Sequence, residues 1–330
     1  MSGKLLTTLV AIVIVAAASF AGGYYFGYDT GYNAGSVLTE VRIGYLMGDV
    51  HQIALFVGYS KGFYEEEGII PKRFEYVNGP AEMMAFSAGD LDAGYVGVVP
   101  LLTALSKGVD LKILASANLE GSALVAGPEI KTVSDLSGKT VGTPGIGTIQ
   151  NSLLYMIEKK FGITTTHKVY PVANLLLAFE NKEIAAYIAW EPFDAEAVVK
   201  GTGHVIYTSR DILPNHQCCV FYVSGKIFRE QPDVAKKLLR AHVKSMQLVA
   251  SSPDVSQGIF ANMTGKSVDV VKESWKRMIY DLNVDTTSMK TFVNFLVEQG
   301  IITAEVPDVD KFVESAVDQS LLKEVVATAG

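Results

Sequence analysis

Apolar residues recur along the chain with two alternating periods, which predict helices and buried strands in turn. In His51–Glu67 the apolar positions lie three or four residues apart and predict a helix that ends at Gly68. Strand–helix alternation is typical of α/β proteins with a mainly parallel sheet. Up to residue 126, the predicted strands are Val41–Met47, Arg73–Val77, Ala93–Val96, Leu111–Ala117 and Ser122–Ala126, and the predicted helices are His51–Glu67, Ala81–Ala88 and Pro100–Lys107.

The same order of elements then begins again. Short sequence motifs are repeated as well. The motif Ala93-Gly94-Tyr95-Val96-Gly97 resembles Ala185-Ala186-Tyr187-Ile188-Ala189, and a proline follows each at the same spacing. Two similar α/β lobes in tandem are the simplest account of this repetition. The second set of predicted elements is Lys139–Thr143, Thr148–Phe161, Lys168–Pro171, Ala173–Glu180 and Ala185–Ala189.

From about Gly225 the spacing is helical and no strand is predicted. We expect this segment to pack onto one lobe instead of forming a third sheet. Lobe one is therefore expected over residues 40–122 and 220–330, and lobe two over residues 123–219. The predicted helices are Pro232–Ala250, Pro253–Asn262, Ser267–Leu282, Thr287–Gln299 and Val309–Asp318.

The N-terminus predicts an extracytoplasmic location. Lys4 precedes an uncharged apolar stretch, Leu5–Ala21, which suits either a retained membrane helix or a cleaved signal. We assign residues 1–23 to this anchor or signal and residues 24–39 to a stalk rich in glycine and tyrosine. Both alternatives place the rest of the chain outside the cytoplasmic membrane.

Composition and motifs exclude several classes of function. The chain has 330 residues, a net charge of −7 and no basic cluster, which argues against nucleic-acid binding. Gly58-Tyr59-Ser60-Lys61-Gly62 matches a hydrolase motif but lies within a predicted helix, so Ser60 is not expected to be catalytic. Neither Gly138-Lys139-Thr140 nor Gly265-Lys266-Ser267 has the first glycine of a phosphate-binding loop.

The two cysteines, Cys218 and Cys219, are adjacent and cannot form a disulfide framework. With the nearby His216 they would hold zinc only if a fourth group joined them. A half-buried strand between the lobes explains them more simply than a metal site or a disulfide between neighbours. We therefore predict no metal ligands and no cofactor.

Two such lobes enclose a cleft, and ligands of open α/β sheets bind beyond the carboxyl ends of the strands. There, helix N-termini and glycine N–H groups approach a ligand, and a tryptophan can cover its apolar part. This rule selects twelve candidate ligand-binding residues. They are Asp49, His51, Gln52, Asn78 and Gly79 in lobe one, Gly147, Thr148, Trp190 and Glu191 in lobe two, and Glu120, Ser122 and His216 in the connections.

Several short sequence motifs resemble those of the substrate-binding proteins of nitrate, sulfonate, taurine and bicarbonate ABC importers. These proteins are related to thiamine-precursor-binding proteins. The resemblance implies a two-lobed α/β fold of the type II periplasmic-binding-protein kind, with ligand-induced closure. It also implies delivery of the ligand to a membrane permease with a separate ATPase. The motifs are Ile43-Gly44-Tyr45, Gly62-Phe63-Tyr64-Glu65-Glu66-Glu67-Gly68-Ile69, Gly89-Asp90-Leu91-Asp92-Ala93-Gly94, Asp135-Leu136-Ser137-Gly138-Lys139-Thr140-Val141-Gly142 and Ala189-Trp190-Glu191-Pro192.

The charges of the selected loops qualify the ligand that the resemblance implies. Asp49, Glu120 and Glu191 around the cleft disfavour an isolated anion and favour an amine-bearing ligand or an amino-sulfonate such as taurine. Two alternatives to a transport receptor stay open. One is a precursor-synthase-like enzyme on the same fold, and the other is a membrane-tethered ligand sensor.

Overall fold

The computed structural model describes residues 38–328. The predicted anchor, and the stalk up to residue 37, lie outside the described residues. The strands are β1 Thr39–Leu46, β2 Ile69–Tyr76, β3 Ala93–Gly97, β4 Leu111–Ser116, β5 Leu119–Glu120, β6 Ser122–Ala126, β7 Thr140–Thr143, β8 Thr166–Val169, β9 Ala186–Trp190, β10 His204–Thr208, β11 Cys219–Ser224 and β12 Met278–Ile279.

Helices cover the faces of the sheets and make up most of the C-terminal segment. The α-helices are α1 Ile53–Lys61, α2 Phe63–Glu66, α3 Gly79–Ser87, α4 Val98–Ser106, α5 Ile149–Phe161, α6 Val172–Glu180, α7 Phe193–Lys200, α8 Ser209–Ile212, α9 Gly225–Glu230, α10 Pro232–Ser251, α11 Pro253–Thr264, α12 Val268–Trp275, α13 Thr286–Glu298, α14 Val309–Ala316 and α15 Ser320–Thr328. Short 3₁₀ helices lie at Val50–Gln52 and Val133–Leu136.

The strands form two five-stranded sheets, on which the two lobes are built. The sheet of lobe one has the order β2-β1-β3-β11-β4, and that of lobe two has the order β10-β6-β9-β7-β8. In lobe one, β11 runs antiparallel to β3 and β4, and in lobe two β6 runs antiparallel to β9 and β10. The parallel triplets β2-β1-β3 and β8-β7-β9 occupy equivalent places, in agreement with the predicted repetition.

The repeated motifs pack alike in the two sheets. Tyr95 on β3 and Tyr187 on β9 are both fully buried. Gly94 is close to two other buried side chains, because a Cβ there would lie 2.5 Å from Tyr222 Oη and 2.6 Å from Glu82 Oε1. The small residue Gly94 of this motif therefore leaves space for the buried polar groups of Tyr222 and Glu82 beside the sheet.

The first predicted helix is interrupted. Gly62 adopts a left-handed conformation with φ 73° and separates α1 from α2. A residue with a side chain is strained at this angle, so the glycine allows the turn between the two helices. Among residues 38–328, no helix combines the length and apolar character that crossing a membrane requires.

The prediction that the C-terminal segment lacks strands is wrong. Met278 pairs with Glu120 and Ile279 with Leu119, so that β12 and β5 form a small antiparallel sheet. The predicted helix Ser267–Leu282 consequently ends at Trp275. The apolar spacing there is helical, but the backbone hydrogen bonds of β12 go to a segment distant in sequence, which local spacing does not indicate.

Candidate functional site

Two short segments connect the lobes, residues 117–121 and residues 209–218, and a cavity lies beside them between the lobes. The volume in which the centre of a water molecule can lie is about 20 Å³. The cavity therefore has room for about one water molecule. The cavity is lined by Leu46, Asp49, His51, Gly79, Gly97, Pro100, Thr148, Ile149, Gln150, Trp190, Cys218 and Cys219.

The lobes touch each other directly around this cavity. The backbone N–H of Val50 donates to the carbonyl of Glu191 at 3.2 Å. The side-chain amide of Asn78 donates from Nδ2 to the carbonyl of Pro144 at 3.2 Å. The structure is therefore a closed arrangement, in which Asn78 bridges the lobes at the edge of the cavity.

The loop after β1 places Asp49 and His51 on the cavity wall. Asp49 caps the 3₁₀ helix, because its Oδ1 accepts the N–H of His51 at 2.9 Å. Gln52 lies behind them: its Oε1 accepts the N–H of Leu46 at 2.8 Å, and its Nε2 donates to Asp49 Oδ2 at 3.1 Å. Gln52 thus holds Asp49 in place instead of facing the cavity.

His51 faces the two cysteines. Its Nε2 lies 2.8 Å from the carbonyl of Gly121, which can only accept, so Nε2 carries the proton. Its Nδ1 lies 3.3 Å from Cys218 Sγ and 3.9 Å from Cys219 Sγ. The cysteines were expected near His216 alone, and the fold also brings His51, which is distant in the chain, to both of them.

Burial and mutual charge set the protonation of this cluster. Burial raises the pKa of Asp49 to about 7, against the nearby His51 charge. Burial alone would lower the pKa of His51, but Asp49 and Cys218 outweigh it and raise this pKa to about 10. The pKa of Cys218 is likewise lowered well below its usual value, since Cys219 and His51 outweigh the effect of burial. Thiolate character at Cys218 is therefore favoured.

Lobe two forms the opposite wall with helix α5 and the end of β9. Thr148 caps α5, since its Oγ1 accepts the N–H of Asn151 at 3.3 Å and donates to the carbonyl of Gly145 at 2.7 Å. Trp190 is 2% exposed, and its indole N–H has no hydrogen-bond partner. A residue that lines the cavity thus carries a buried donor without a partner.

Two of the predicted carboxylates are neutralised by arginines away from the cavity wall. Glu191 Oε1 accepts from Arg277 Nε, and Glu120 Oε2 accepts from Arg210 Nε at 2.7 Å. Of the three carboxylates, Asp49 is the one that lines this cavity, so the expected group of three negative charges does not surround it. Both pairings join segments that are far apart in sequence, so loop composition did not indicate them.

Three further candidates also lie off the wall. Ser122 is behind it, where its Oγ accepts from Gln150 Nε2 at 2.9 Å. Gly147 borders a separate groove beside Pro80. His216 is fully buried, and its Nδ1 donates to the carbonyl of Leu213 at 2.9 Å.

The structure thus brings five of the twelve candidates together on the cavity wall, and a role in ligand binding stays a prediction for all twelve. The five are Asp49, His51, Gly79, Thr148 and Trp190. Seven of the cavity residues were not among the candidates, and those with polar side chains are Gln150, Cys218 and Cys219. Gln150 lies in the first turn of α5, Cys218 ends the second connecting segment and Cys219 begins β11. Their places just after a predicted strand or at the crossing between the lobes were the signal available.

A model of the NMT1-like family matches residues 34–264. The chain belongs to this family. A putative aliphatic sulfonates-binding protein of Escherichia coli (strain K12) is 24% identical over 240 residues, which are 66% of this chain and 74% of that protein.

Two solved structures resemble this member of the NMT1-like family. The ligand-binding component of an ABC-type import system from Staphylococcus aureus, with zinc bound, has a TM-score of 0.76 at 20% identity and covers 87% of this chain and 99% of its own. The periplasmic nitrate-binding protein NrtA from Synechocystis PCC 6803 has a TM-score of 0.77 at 15% identity, with 88% and 89% covered. The two-lobed α/β fold of periplasmic binding proteins is thereby confirmed.

Proposed function

We propose that this chain is the extracytoplasmic solute-binding component of an ABC importer. The observation that carries the proposal is the closed cavity between two lobes, lined by polar groups from both. Binding sites of this kind are concave and contain a few convergent polar groups. Relatives named as binding proteins support the same function.

The proposed mechanism is capture by closure. Lobe one, residues 40–122 and 220–330, offers Asp49 and His51, and lobe two, residues 123–219, closes over them with Thr148 and Trp190. The two connecting segments would bend during closure, as expected for hinge motion. No step in this mechanism breaks or forms a covalent bond, so the chain acts as a receptor and not as an enzyme.

Hydrogen bonds of Gln217 attach the second connecting segment to lobe one. Gln217 donates from Nε2 to Ser116 Oγ at 2.8 Å and to the carbonyl of Cys219 at 2.9 Å. Its Oε1 accepts the N–H of Asp285 at 2.9 Å, which joins the second crossing segment to the C-terminal helices. We infer that this fully buried side chain fixes the hinge to lobe one.

The partners follow from the proposed role. A membrane permease would receive the ligand, and a separate ATPase chain would drive transport. The apolar N-terminal segment, retained or cleaved, would direct the chain to the outer face of the cytoplasmic membrane. Gln52 and Ser122 act in this proposal by supporting residues of the cavity wall, through hydrogen bonds to Asp49 and Gln150.

A thermal-shift panel tests the function. We expect the purified chain to be stabilised by one small solute among nitrate, sulfate, alkanesulfonates, taurine, thiamine precursors and metal ions. A ligand at 100 times its Kd adds about 2.7 kcal/mol. Trp190→Phe, which keeps a ring but removes the N–H, should weaken an oxygen-bearing ligand. Absence of any shift, or chemical turnover of a bound solute, would contradict a transport receptor.

A further inference from the structure

Donor atoms that suit soft metals converge on one wall of the cavity. His51 Nδ1 and the Sγ atoms of Cys218 and Cys219 all lie within 4.8 Å of one another. We propose that these three side chains bind a thiophilic transition-metal ion such as Zn²⁺, with the Asp49 carboxylate completing the donor set. The inference deepens the proposed function and rests on it, because it names the class of ligand that the same cavity takes.

Several distances between the donors are close to those of a tetrahedral site. Ligand atoms at about 2.0–2.3 Å from a tetrahedral ion stand roughly 3.3–3.8 Å apart. His51 Nδ1 lies 3.3 Å from Cys218 Sγ, 3.9 Å from Cys219 Sγ and 3.6 Å from Asp49 Oδ1. Cys219 Sγ lies 3.9 Å from Asp49 Oδ2. His51, Cys218 and Cys219 thus form the mutually close set of donors, and the Asp49 carboxylate lies beside His51 and Cys219.

The groups around the donors hold them as in known metal sites. A histidine that binds a metal usually donates its other ring N–H to a carbonyl or carboxylate, which fixes the ring. His51 does so through Nε2, which donates to the carbonyl of Gly121 at 2.8 Å. Gln52 Nε2 donates to Asp49 Oδ2 at 3.1 Å and so orients the carboxylate. Both supports exist before any ion is bound.

A purely structural role explains the cluster less well. Buried cysteines often serve as small apolar side chains. Here, however, they face a carboxylate and an imidazole that are each 1% exposed, which is a polar setting for side chains of that kind. His216 adds a second imidazole beside Cys218, and its Nε2 is buried without a hydrogen-bond partner. Polar groups of this kind indicate a ligand that pairs with them.

The size and lining of the cavity suit a metal ion. The space between the closed lobes holds about one water-sized particle, which fits a dehydrated metal ion. Asp49, His51, Cys218 and Cys219 all line this space. Thiolate and imidazole donors favour zinc, copper and related ions over magnesium or calcium. Among residues 38–328, this is the single cluster of three such donors.

Cobalt titration tests the proposal. The full-length chain, purified under reducing conditions, is titrated with Co²⁺ alone and then with Zn²⁺. We expect a thiolate-to-cobalt charge-transfer absorption that saturates at one ion per chain and is displaced by Zn²⁺, which binds more tightly. Cys218→Ser and Cys219→Ser should each weaken this absorption and the double variant should lose it, whereas His204→Gln, outside the cluster, should leave it unchanged.

A variant outside the donor set keeps the test decisive if the cysteine variants misfold. Gln52→Met removes the hydrogen bond to Asp49 and should weaken Co²⁺ binding about 10–100-fold while the charge-transfer absorption remains. Circular dichroism before titration establishes that each variant is folded. Folded, reduced chain without the charge-transfer absorption overturns the proposal, and so does absorption that persists when both cysteines are serine.

The same samples separate this inference from the proposed function. If taurine, nitrate or another organic or anionic solute raises Tm while Co²⁺ gives no thiolate absorption, the metal site fails and the solute receptor stands. If neither metal nor solute has an effect, both proposals fail. A Zn²⁺-dependent rise in Tm that is lost in Cys219→Ser supports both.

Discussion

Arg277, which follows α12, and Glu191, which follows β9, form an ion pair that joins the C-terminal segment to lobe two. Glu191 is fully buried, and its second oxygen accepts the N–H of Ala195 at 3.1 Å. Burial raises the pKa of Glu191, and the Arg277 charge opposes that rise. The carboxylate therefore depends on this arginine for its charge.

Loss of the arginine should consequently be severe. We expect Arg277→Met to destabilise the chain by about 3–5 kcal/mol, because it leaves a buried carboxylate unpaired. Urea unfolding at pH 7 measures the change. Glu191→Gln combined with Arg277→Met should recover much of the loss. The exposed pair Arg229–Asp110 is the matched control, and Arg229→Met should change stability little. Equal effects at both arginines would contradict the argument.

Two glycines should respond in opposite directions to alanine. Gly94→Ala places a methyl group 2.5 Å from Tyr222 Oη and disturbs its hydrogen bond to Glu82, so we expect a loss of about 2–3 kcal/mol. Gly258 lies within α11 with nothing within 4 Å of an added Cβ. Gly258→Ala should stabilise by about 0.5–1 kcal/mol through helix propensity. Thermal unfolding compares them, and a destabilised Gly258→Ala would contradict this account.

His242 should make stability depend on pH. Burial lowers its pKa to about 4, and its ring contacts Tyr95 Oη at 3.0 Å and the carbonyl of Ser116 at 3.0 Å. The unfolded chain binds this proton near pH 6.5, so the unfolded state holds more protons between pH 6.5 and 4. Stability from this group is therefore complete above pH 7 and falls as pH drops towards 4.

The full loss for His242 amounts to about 3 kcal/mol. Denaturant unfolding between pH 7 and pH 4, with His242→Gln as the comparison, isolates this contribution from those of other titrating groups. We expect the wild-type chain to lose more stability on acidification than the variant does. Identical pH profiles would show that His242 does not titrate in this range.

Closure of the lobes should be sensitive to Gly97. A Cβ at this position would lie 2.9 Å from Ile149 Cδ1 across the cleft. We expect Gly97→Ile to hold the lobes apart, with a larger radius of gyration in X-ray scattering and unchanged secondary structure. Ile149→Ala in the same chain should restore space and compactness. A radius of gyration equal to that of the wild type would count against closure through this contact.

The fold was largely predictable because its signals are local. Apolar spacing indicated most strands and helices, and the repeated motifs around Tyr95 and Tyr187 indicated two equivalent lobes. The exceptions depend on distant contacts. Met278 and Ile279 become a strand only because the segment at Leu119 offers hydrogen bonds, and no residue near them in sequence reveals that partner.

The site was predictable only to the level of loops. The rule about strand ends placed Asp49, His51 and Thr148 on the cavity wall. It did not predict that Cys218 would meet His51, because folding alone brings together residues so far apart in sequence. Nor did it predict the arginines that neutralise Glu120 and Glu191. Pairings of charged groups are properties of the assembled lobes.

The position of β11 between β3 and β4 has a consequence for synthesis of the chain. Strand β4 has no sheet partner in lobe one until β11 leaves the ribosome, whereas all five strands of lobe two lie between residues 122 and 208. Domains generally fold as units during translation. Lobe one is therefore begun first, but lobe two is the first to complete its sheet. Strand β11 then completes the sheet of lobe one.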